Sequence, residues 1–134
     1  MRTLKFRAWN IVQKRWEKKL CLYFDDGKIG DCSECFHNEE DSSSYVVQQS
    51  TGVLNDYYQE IYEGDIVTFS VDHGEPRGVI EYAATITWLR TGFIAILHKE
   101  MTMNNSLIQD KVNINRDMFV VGNIFENPEL IVEL

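Results

Sequence analysis

Two segments of this 134-residue chain constrain its fold more than any other feature. Residues 60–67 read EIYEGDIV, and residues 121–130 read VGNIFENPEL. Each segment places a glycine next to a carboxylate or an amide, beside an apolar run of the kind that forms strands. Glycine allows a sharp corner in the main chain, and the apolar run can then enter a sheet. The two segments predict a small β-protein with four structural turn residues: Gly64, Asp65, Gly122 and Asn123.

The rest of the chain continues this pattern. Residues 4–9 alternate between apolar and charged or polar side chains, as a half-buried strand does. Further extended segments are predicted at residues 16–24, 29–32, 45–49, 66–71, 79–82, 84–88, 93–98 and 118–125. Turns are predicted near residues 25–28, 51–52, 63–65 and 90–92, a short helix at 105–111, and a one-turn helix or short strand from residue 129. This order predicts a mainly β fold (α+β at most) with little helix, and it argues against βαβ units.

The composition fits one globular unit spanning residues 1–134. Hydrophobic residues make up 44% of the chain, which is enough for a packed core. Residues 33–44 are acidic and serine-rich and show no periodicity, so we predict a mobile loop there. That loop would divide an N-terminal hairpin region, residues 1–32, from a β-barrel region, residues 45–134.

Three features of the sequence predict a cytoplasmic protein. The N-terminus is charged and lacks the apolar region of a secretory signal. No apolar run approaches the ~20 residues that span a bilayer. The three cysteines are an odd number, which argues against a disulfide framework.

The charge of the chain is unevenly distributed. The net charge is −8, yet residues 1–19 hold seven of the 13 basic residues and one of the 21 acidic ones. Residues 25–41 hold seven acidic residues and one basic residue. These are either two oppositely charged hairpin surfaces, or a basic face that binds nucleic acid or an acidic partner. In the second interpretation cations meet phosphates and indole rings stack on bases, and the residues are Arg7, Lys14, Arg15, Lys18, Lys19, Trp9 and Trp16.

One group of residues resembles a metal site in its chemistry. Structural zinc is bound by mixtures of thiolates and imidazole, and the candidate ligands are Cys21, Cys32, Cys35 and His37. A second paired motif is missing, so the alternative is a chance pair of cysteines in an acidic loop. We predict no cofactor.

The sequence carries no signature of a catalytic site. Glu60, Glu63, Asp65 and Glu126 could form an acid–base set only if the fold held two of them across a cleft. A structural role in turns explains Asp65 better, because its carboxylate can accept bonds from main-chain N–H groups. The three histidines lie far apart, outside any nucleophile or metal motif. We therefore predict no catalytic residues.

Four blocks of the sequence together resemble a known family. They are residues 5–10 (KFRAWN), Gln49 with Thr51 and Gly52, residues 60–67, and residues 121–130. In this order they resemble the YopX-type family of bacteriophage and prophage proteins. The resemblance implies a small, mainly β protein with an SH3-like barrel and no established activity. Where that family has a glycine-containing loop before residues 60–67, this chain has residues 55–59 (NDYYQ), which argues against a tight hairpin there.

Two functions remain open from the sequence. The first is a non-enzymatic phage accessory protein that binds a protein partner, a further copy of itself through oppositely charged faces, or nucleic acid. The second is a small endoribonuclease, because residues 64–67 also resemble the opening strand of PemK-type toxin barrels. The Arg-Pro pair of those toxins appears here in reversed order, as Pro76 and Arg77.

Overall fold

The structure of the chain is a computed structural model that describes residues 4–17, 20–22, 29–31, 45–90, 92–98 and 111–132. Within these ranges the strands are β1 Phe6–Asn10, β2 Arg15–Glu17, β3 Leu20–Leu22, β4 Ile29–Asp31, β5 Tyr45–Leu54, β6 Glu60–Tyr62, β7 Asp65–Asp72, β8 Val79–Leu89, β9 Gly92–Leu97, β10 Lys111–Val112 and β11 Phe119–Asn123. The helix is α1 Glu129–Val132. The predicted mainly β class is confirmed.

The chain divides into two compact units. The smaller unit is Lys5–Gln49, and the larger unit comprises Met1–Leu4 and Ser50–Leu134. The predicted loop at residues 33–44 and nearly all of the helix predicted at residues 105–111 lie outside the described residues. Within the described ranges, no helix has the length and apolar character needed to cross a membrane.

A five-stranded antiparallel sheet organises the larger unit, in the order β10-β9-β8-β7-β11. Its central pair runs from Ile66 opposite Thr85 to Asp72 opposite Val79. Successive side chains of a strand point to opposite faces, so every second residue of this sheet faces the core. The buried core side chains are Ile61, Val67, Phe69, Tyr82, Ala84, Ile86, Ala95, Leu97 and Met118.

Side chains, rather than glycine, close the turn between β5 and β6. The main-chain N–H of Asn55 donates to Gln59 O (2.9 Å), and its buried Oδ1 accepts from the N–H groups of Tyr57 (3.0 Å) and Gln59 (2.8 Å). Tyr58 adopts a φ of 61°, a conformation that residues other than glycine rarely take. The connection between β5 and β6 is therefore a hairpin with a five-residue loop, residues 55–59, that forms without glycine.

The same turn covers the outer edge of β11, the last strand of the five-stranded sheet. Gln59 Oε1 accepts from the Val120 N–H (3.0 Å), and Gln59 Nε2 donates to Val120 O (3.3 Å). Asn55 Nδ2 donates to Met118 O (2.8 Å) and to Gln59 Oε1 (2.8 Å). The two amide side chains thus make the hydrogen bonds to the main chain of residues 118 and 120 that a neighbouring strand would make. They protect an edge that would otherwise pair with another chain.

Two details of the predicted strand pattern are wrong. The turn predicted at residues 51–52 lies inside β5, where Gly52 has a φ of 82° and the pairing with β6 shifts register between Ser50 and Leu54. The positive φ of Gly52 belongs to this register shift, and the chain continues along β5 without reversing its direction. The segments predicted at 79–82 and 84–88 are one strand, because Ala83 pairs with Thr68 and keeps the ladder continuous.

In the smaller unit, β1 pairs with β2 on one side and with the first half of β5 on the other. Trp9 lies opposite Trp16, and the two rings meet edge to face with their centroids 5.0 Å apart. Strands β3 and β4 form a separate antiparallel pair. Only the first half of β5 belongs to this unit, because the strand continues into the larger one.

Candidate functional site

An open cleft of about 370 Å³ lies at one end of the core of the larger unit. The described residues that line it are Thr51, Val53, Trp88, Gly92, Phe93, Asn113 and Ile114. Its size is near the lower end of the range for ligand pockets, about 300–1,000 Å³. It is therefore large enough to hold one side chain of a partner together with its main-chain peptide groups.

Strand periodicity places an aromatic wall in this cleft. Trp88 lies on the same face of β8 as the buried residues Ala84 and Ile86, so it extends the row of core side chains. It is nevertheless 49% exposed. Its cross-strand partner on β9 is Phe93, and the two rings meet edge to face with their centroids 4.7 Å apart. Trp88 thus presents a large, fixed apolar surface to solvent.

The cleft also contains a few polar groups. Thr51 Oγ1 donates to Ile61 O (2.7 Å) and accepts from the Val53 N–H (3.2 Å). This hydroxyl therefore already has hydrogen-bond partners where β5 shifts its register with β6. The Trp88 indole N–H and the Asn113 side-chain amide have no hydrogen-bond partner among the described residues. These two groups can bind a main-chain peptide group of a ligand.

The described lining residues of the cleft are all neutral. None of the seven described lining residues has an acidic, basic, imidazole or thiol side chain. General acid–base or nucleophilic catalysis needs such groups within reach of the reacting atoms. Sequence reasoning assigned Trp88 to packing and missed the cleft, because residues 51–53 and 113–114 are distant from it in sequence.

The predicted turn residues Gly64 and Asp65 form a buried corner. Gly64 has a φ of 83°, its N–H donates to Ile86 O (2.7 Å), and its carbonyl accepts from the Ile124 N–H (3.0 Å). The Asp65 carboxylate accepts from the Tyr62 N–H (2.8 Å) and from Asn123 Nδ2 (3.1 Å). The two segments that most constrain the fold therefore meet directly in the structure.

Gly122 has no Cβ, and this lets the side chains of Asn127 and Leu130 pack closely against the main chain near this corner. A Cβ at Gly122 would lie 2.7 Å from Asn127 Oδ1 and 2.8 Å from Leu130 Cδ1. Asn127 Oδ1 accepts from the Asn123 N–H (3.2 Å), so the close approach is part of a hydrogen-bonded turn. Gly122 follows a register shift in the pairing of β11 with β7, between Val120 and Gly122.

The predicted basic and aromatic residues of the smaller unit form a packed cluster. The Arg7 guanidinium lies 4.2 Å from the centroid of the Trp16 ring, a cation–π contact, and its Nε donates to Gln48 Oε1 (3.1 Å). Trp9 is buried beside Trp16. The structure thus brings Arg7, Trp9 and Trp16 together, and it uses them in packing.

The other predicted cations are placed differently. Arg15 Nε lies 3.0 Å from Glu17 Oε1, which also accepts from Asn10 Nδ2 (3.1 Å). Lys14 is exposed in the turn between β1 and β2. Lys18 and Lys19 lie outside the described residues.

The structure describes little of the candidate zinc site. Cys21 belongs to β3, where only the main chain is described, and Cys32, Cys35 and His37 lie outside the described residues. Among the side chains that are described, no three His, Cys, Asp or Glu residues are close enough to hold a metal ion. Zinc binding at these residues stays a hypothesis from the sequence.

The two described histidines make separate contacts. His73 Nε2 lies 2.7 Å from the Tyr82 hydroxyl, and His98 Nε2 lies 2.7 Å from Thr85 Oγ1. His98 Nδ1 is buried without a hydrogen-bond partner among the described residues. Burial lowers the pKa of His98 below its ordinary value. The Tyr82 and Thr85 hydroxyls are groups that can act as nucleophiles, but among the described residues neither histidine contacts a carboxylate that would orient it as in a catalytic triad.

Fold and cleft together define a small, mainly β protein whose candidate site is an aromatic cleft with uncharged described lining residues. The family model described as YopX protein matches residues 5–132. The chain therefore belongs to the YopX family.

A solved structure supports the fold. The crystal structure of protein EF1440 from Enterococcus faecalis is similar to this chain with a TM-score of 0.59 and 22% sequence identity, and the match covers 98% of this chain and 99% of that one. At this identity the likeness concerns the fold alone. A comparison with curated proteins gave no match.

Proposed function

We propose that this chain is a non-enzymatic binding module of a bacteriophage or prophage, acting in the cytoplasm of the bacterial host. Its cleft holds an extended, uncharged segment of a protein partner. The observation that supports this proposal is the half-exposed Trp88 in a cleft whose described lining has no ionisable side chain. The phage origin and the SH3-like barrel follow from the family resemblance and are part of the same proposal.

The lining fits a peptide better than a charged ligand. Trp88 and Phe93, together with Val53 and Ile114, supply apolar surface for a side chain. The indole N–H of Trp88 and the amide of Asn113 supply a donor and a further donor or acceptor for one peptide group. Extended peptides alternate side chains with peptide groups, and aromatic grooves are a recurring way to bind them. Tryptophan is also enriched among the residues that contribute most to protein interfaces.

Selection from a random peptide library tests the proposal. The enriched peptides should be uncharged around one apolar anchor, and their affinity for the purified chain can be measured by calorimetry. Trp88→Ala should weaken binding by about 2 kcal/mol, roughly thirtyfold, as truncation of an interface hot spot does. Gly92→Val should also weaken binding, because a side chain there enters open space in the cleft.

Tyr58→Ala is the matched control, since it removes an exposed aromatic ring of the same unit that does not line the cleft. Its peptide affinity should equal that of the wild type. Peptides that bind Trp88→Ala and Gly92→Val as tightly as the wild type would place the binding site elsewhere. Cleavage of RNA by the purified chain would favour the endoribonuclease instead.

A further inference from the structure

The turn between β1 and β2 presents two branched apolar side chains to solvent. Ile11 is 47% exposed and Val12 is 75% exposed. Turn positions of this kind usually carry glycine, proline, asparagine, aspartate or serine. Packing within the described part of the chain does not account for Val12, because most of its surface is in water.

A buried side chain holds this turn in a fixed shape. Asn10 Oδ1 accepts from the N–H groups of Val12 (3.0 Å) and Gln13 (2.9 Å), and Asn10 O accepts from the Lys14 N–H (2.8 Å). Lys14 adopts a φ of 54°, which is unfavourable for a residue other than glycine. Strained residues cluster at recognition sites, where the surrounding structure fixes them. The turn is therefore pre-organised to present residues 11 and 12.

The positive charge of residues 1–19 indicates which kind of surface the turn can bind. Residues 1–19 have a net charge of +6, from seven basic residues and one acidic residue, so the rest of the chain has a net charge of −14. Lys14, which is exposed, follows Val12 by two residues along the chain. The complementary surface is apolar at its centre and acidic around it.

The larger unit of the same chain carries such a surface. Val79 at the start of β8 is 68% exposed and lies opposite Asp72 of β7. Glu81 lies two residues further along β8 and therefore on the same face. Asp72 and Glu81 are both exposed. One branched apolar side chain thus lies between two carboxylates.

We infer that the turn at residues 11–14 docks on the Val79 surface of a second copy of this chain. Each copy offers one turn and one acidic surface, and the commonest closed assembly of two copies is a two-fold dimer, which would contain two such contacts. The inference is independent of the cleft, since none of its residues lines it. A nucleic acid is the less favoured occupant, because the chain as a whole is net −8 and Arg7 and Arg15 already make contacts within the smaller unit.

Sedimentation velocity of the 15.6 kDa chain over a range of concentrations, at low (~50 mM) and high (~500 mM) salt, tests this dimer. We expect a dimer at low salt that dissociates as salt screens the opposite charges. Lys14→Glu and Glu81→Lys should each weaken the dimer about tenfold or more, because each variant places like charges in contact. An equal mixture of the two variants should restore association, since the altered turn of one now faces the altered surface of the other.

Lys111→Glu is the matched control, because it makes the same charge change at an exposed position on β10. It should associate as the wild type does. A wild-type monomer under all conditions would overturn the inference, and so would a dimer that Lys14→Glu leaves intact. Failure of the mixture to associate would also overturn it, as would salt-sensitive binding of single-stranded DNA by a monomer through Lys14.

Discussion

Replacement of Gly122 by alanine tests the packing of the corner that joins the two constraining segments. The new Cβ would lie 2.7 Å from Asn127 Oδ1 and 2.8 Å from Leu130 Cδ1, well inside normal contact distance. Both atoms belong to side chains that can move. Movement of Asn127, however, removes its hydrogen bond from the N–H of Asn123, a residue that is 2% exposed.

The expected loss of stability follows from these contacts. A buried donor left without a partner costs about 1–3 kcal/mol. Overpacking by one carbon costs a similar amount, about 1–3 kcal/mol, but displacement of the Asn127 and Leu130 side chains relieves most of it. We expect the free energy of unfolding to fall by about 2 kcal/mol in total, roughly a thirtyfold change in the folding equilibrium constant. The Tm should fall by about 5–10 °C.

Urea unfolding followed by tryptophan fluorescence measures this change, and Gly92→Ala is the control. No heavy atom lies within 4 Å of a Cβ at Gly92, whose φ is ordinary, so its stability should stay the same or rise by up to about 1 kcal/mol. Gly122→Ala should cost less when combined with Asn127→Ala, because the hydrogen bond and the close contact with Asn127 are then already gone and only the contact with Leu130 remains. Stability of Gly122→Ala within about 0.5 kcal/mol of the wild type would refute the packing argument, since that is the range of ordinary surface substitutions.

Three further perturbations test other parts of the fold. Burial lowers the pKa of His98, so the unfolded chain binds a proton at a higher pH than the folded chain, and the free energy of unfolding should fall as the pH drops below about 6.5. His98→Gln should reduce this pH dependence of the free energy of unfolding. The same pH dependence in His98→Gln and in the wild type would contradict the role of His98. Asp65→Ala should lower the free energy of unfolding by about 3 kcal/mol in the same urea assay, because two donors lose a buried acceptor; a loss below about 1 kcal/mol would show that water replaces the carboxylate. Gln59→Ala should lower the free energy of unfolding by about 1–2 kcal/mol and should expose the Val120 main chain. Hydrogen exchange at the Val120 amide should therefore accelerate. Exchange at the wild-type rate would mean that another group covers this edge of β11.

The strands were predictable because their information is local. The alternation of side chains in β1 and the apolar row of β7 are visible over a few residues, and a buried face enforces the same period in the folded chain. The corner at Gly64 was predictable for the same reason, since a glycine between two carboxylates signals a turn. Gly52 shows the limit of that signal, because a positive φ also fits an irregularity within a strand.

The cleft was not predictable because its walls come from separate parts of the chain. Residues 51 and 53, residues 88, 92 and 93, and residues 113 and 114 become neighbours only when β5 and the hairpin of β8 and β9 pack around one core. An exposed tryptophan has no mark in the sequence that distinguishes it from a buried one. The hairpin at residues 55–59 shows a related limit, since Asn55 replaces glycine with a set of side-chain bonds that needs β11 in place.

The position of Trp88 in line with Ala84 and Ile86 has a consequence for how such a protein diverges. The residues on this one face of β8 are buried in the core at one end of the row and exposed to solvent at the other. Substitutions near the solvent end can change what is recognised while the interior stays intact. Relatives that share the scaffold can therefore differ in ligand through changes at only one or two positions of a single strand.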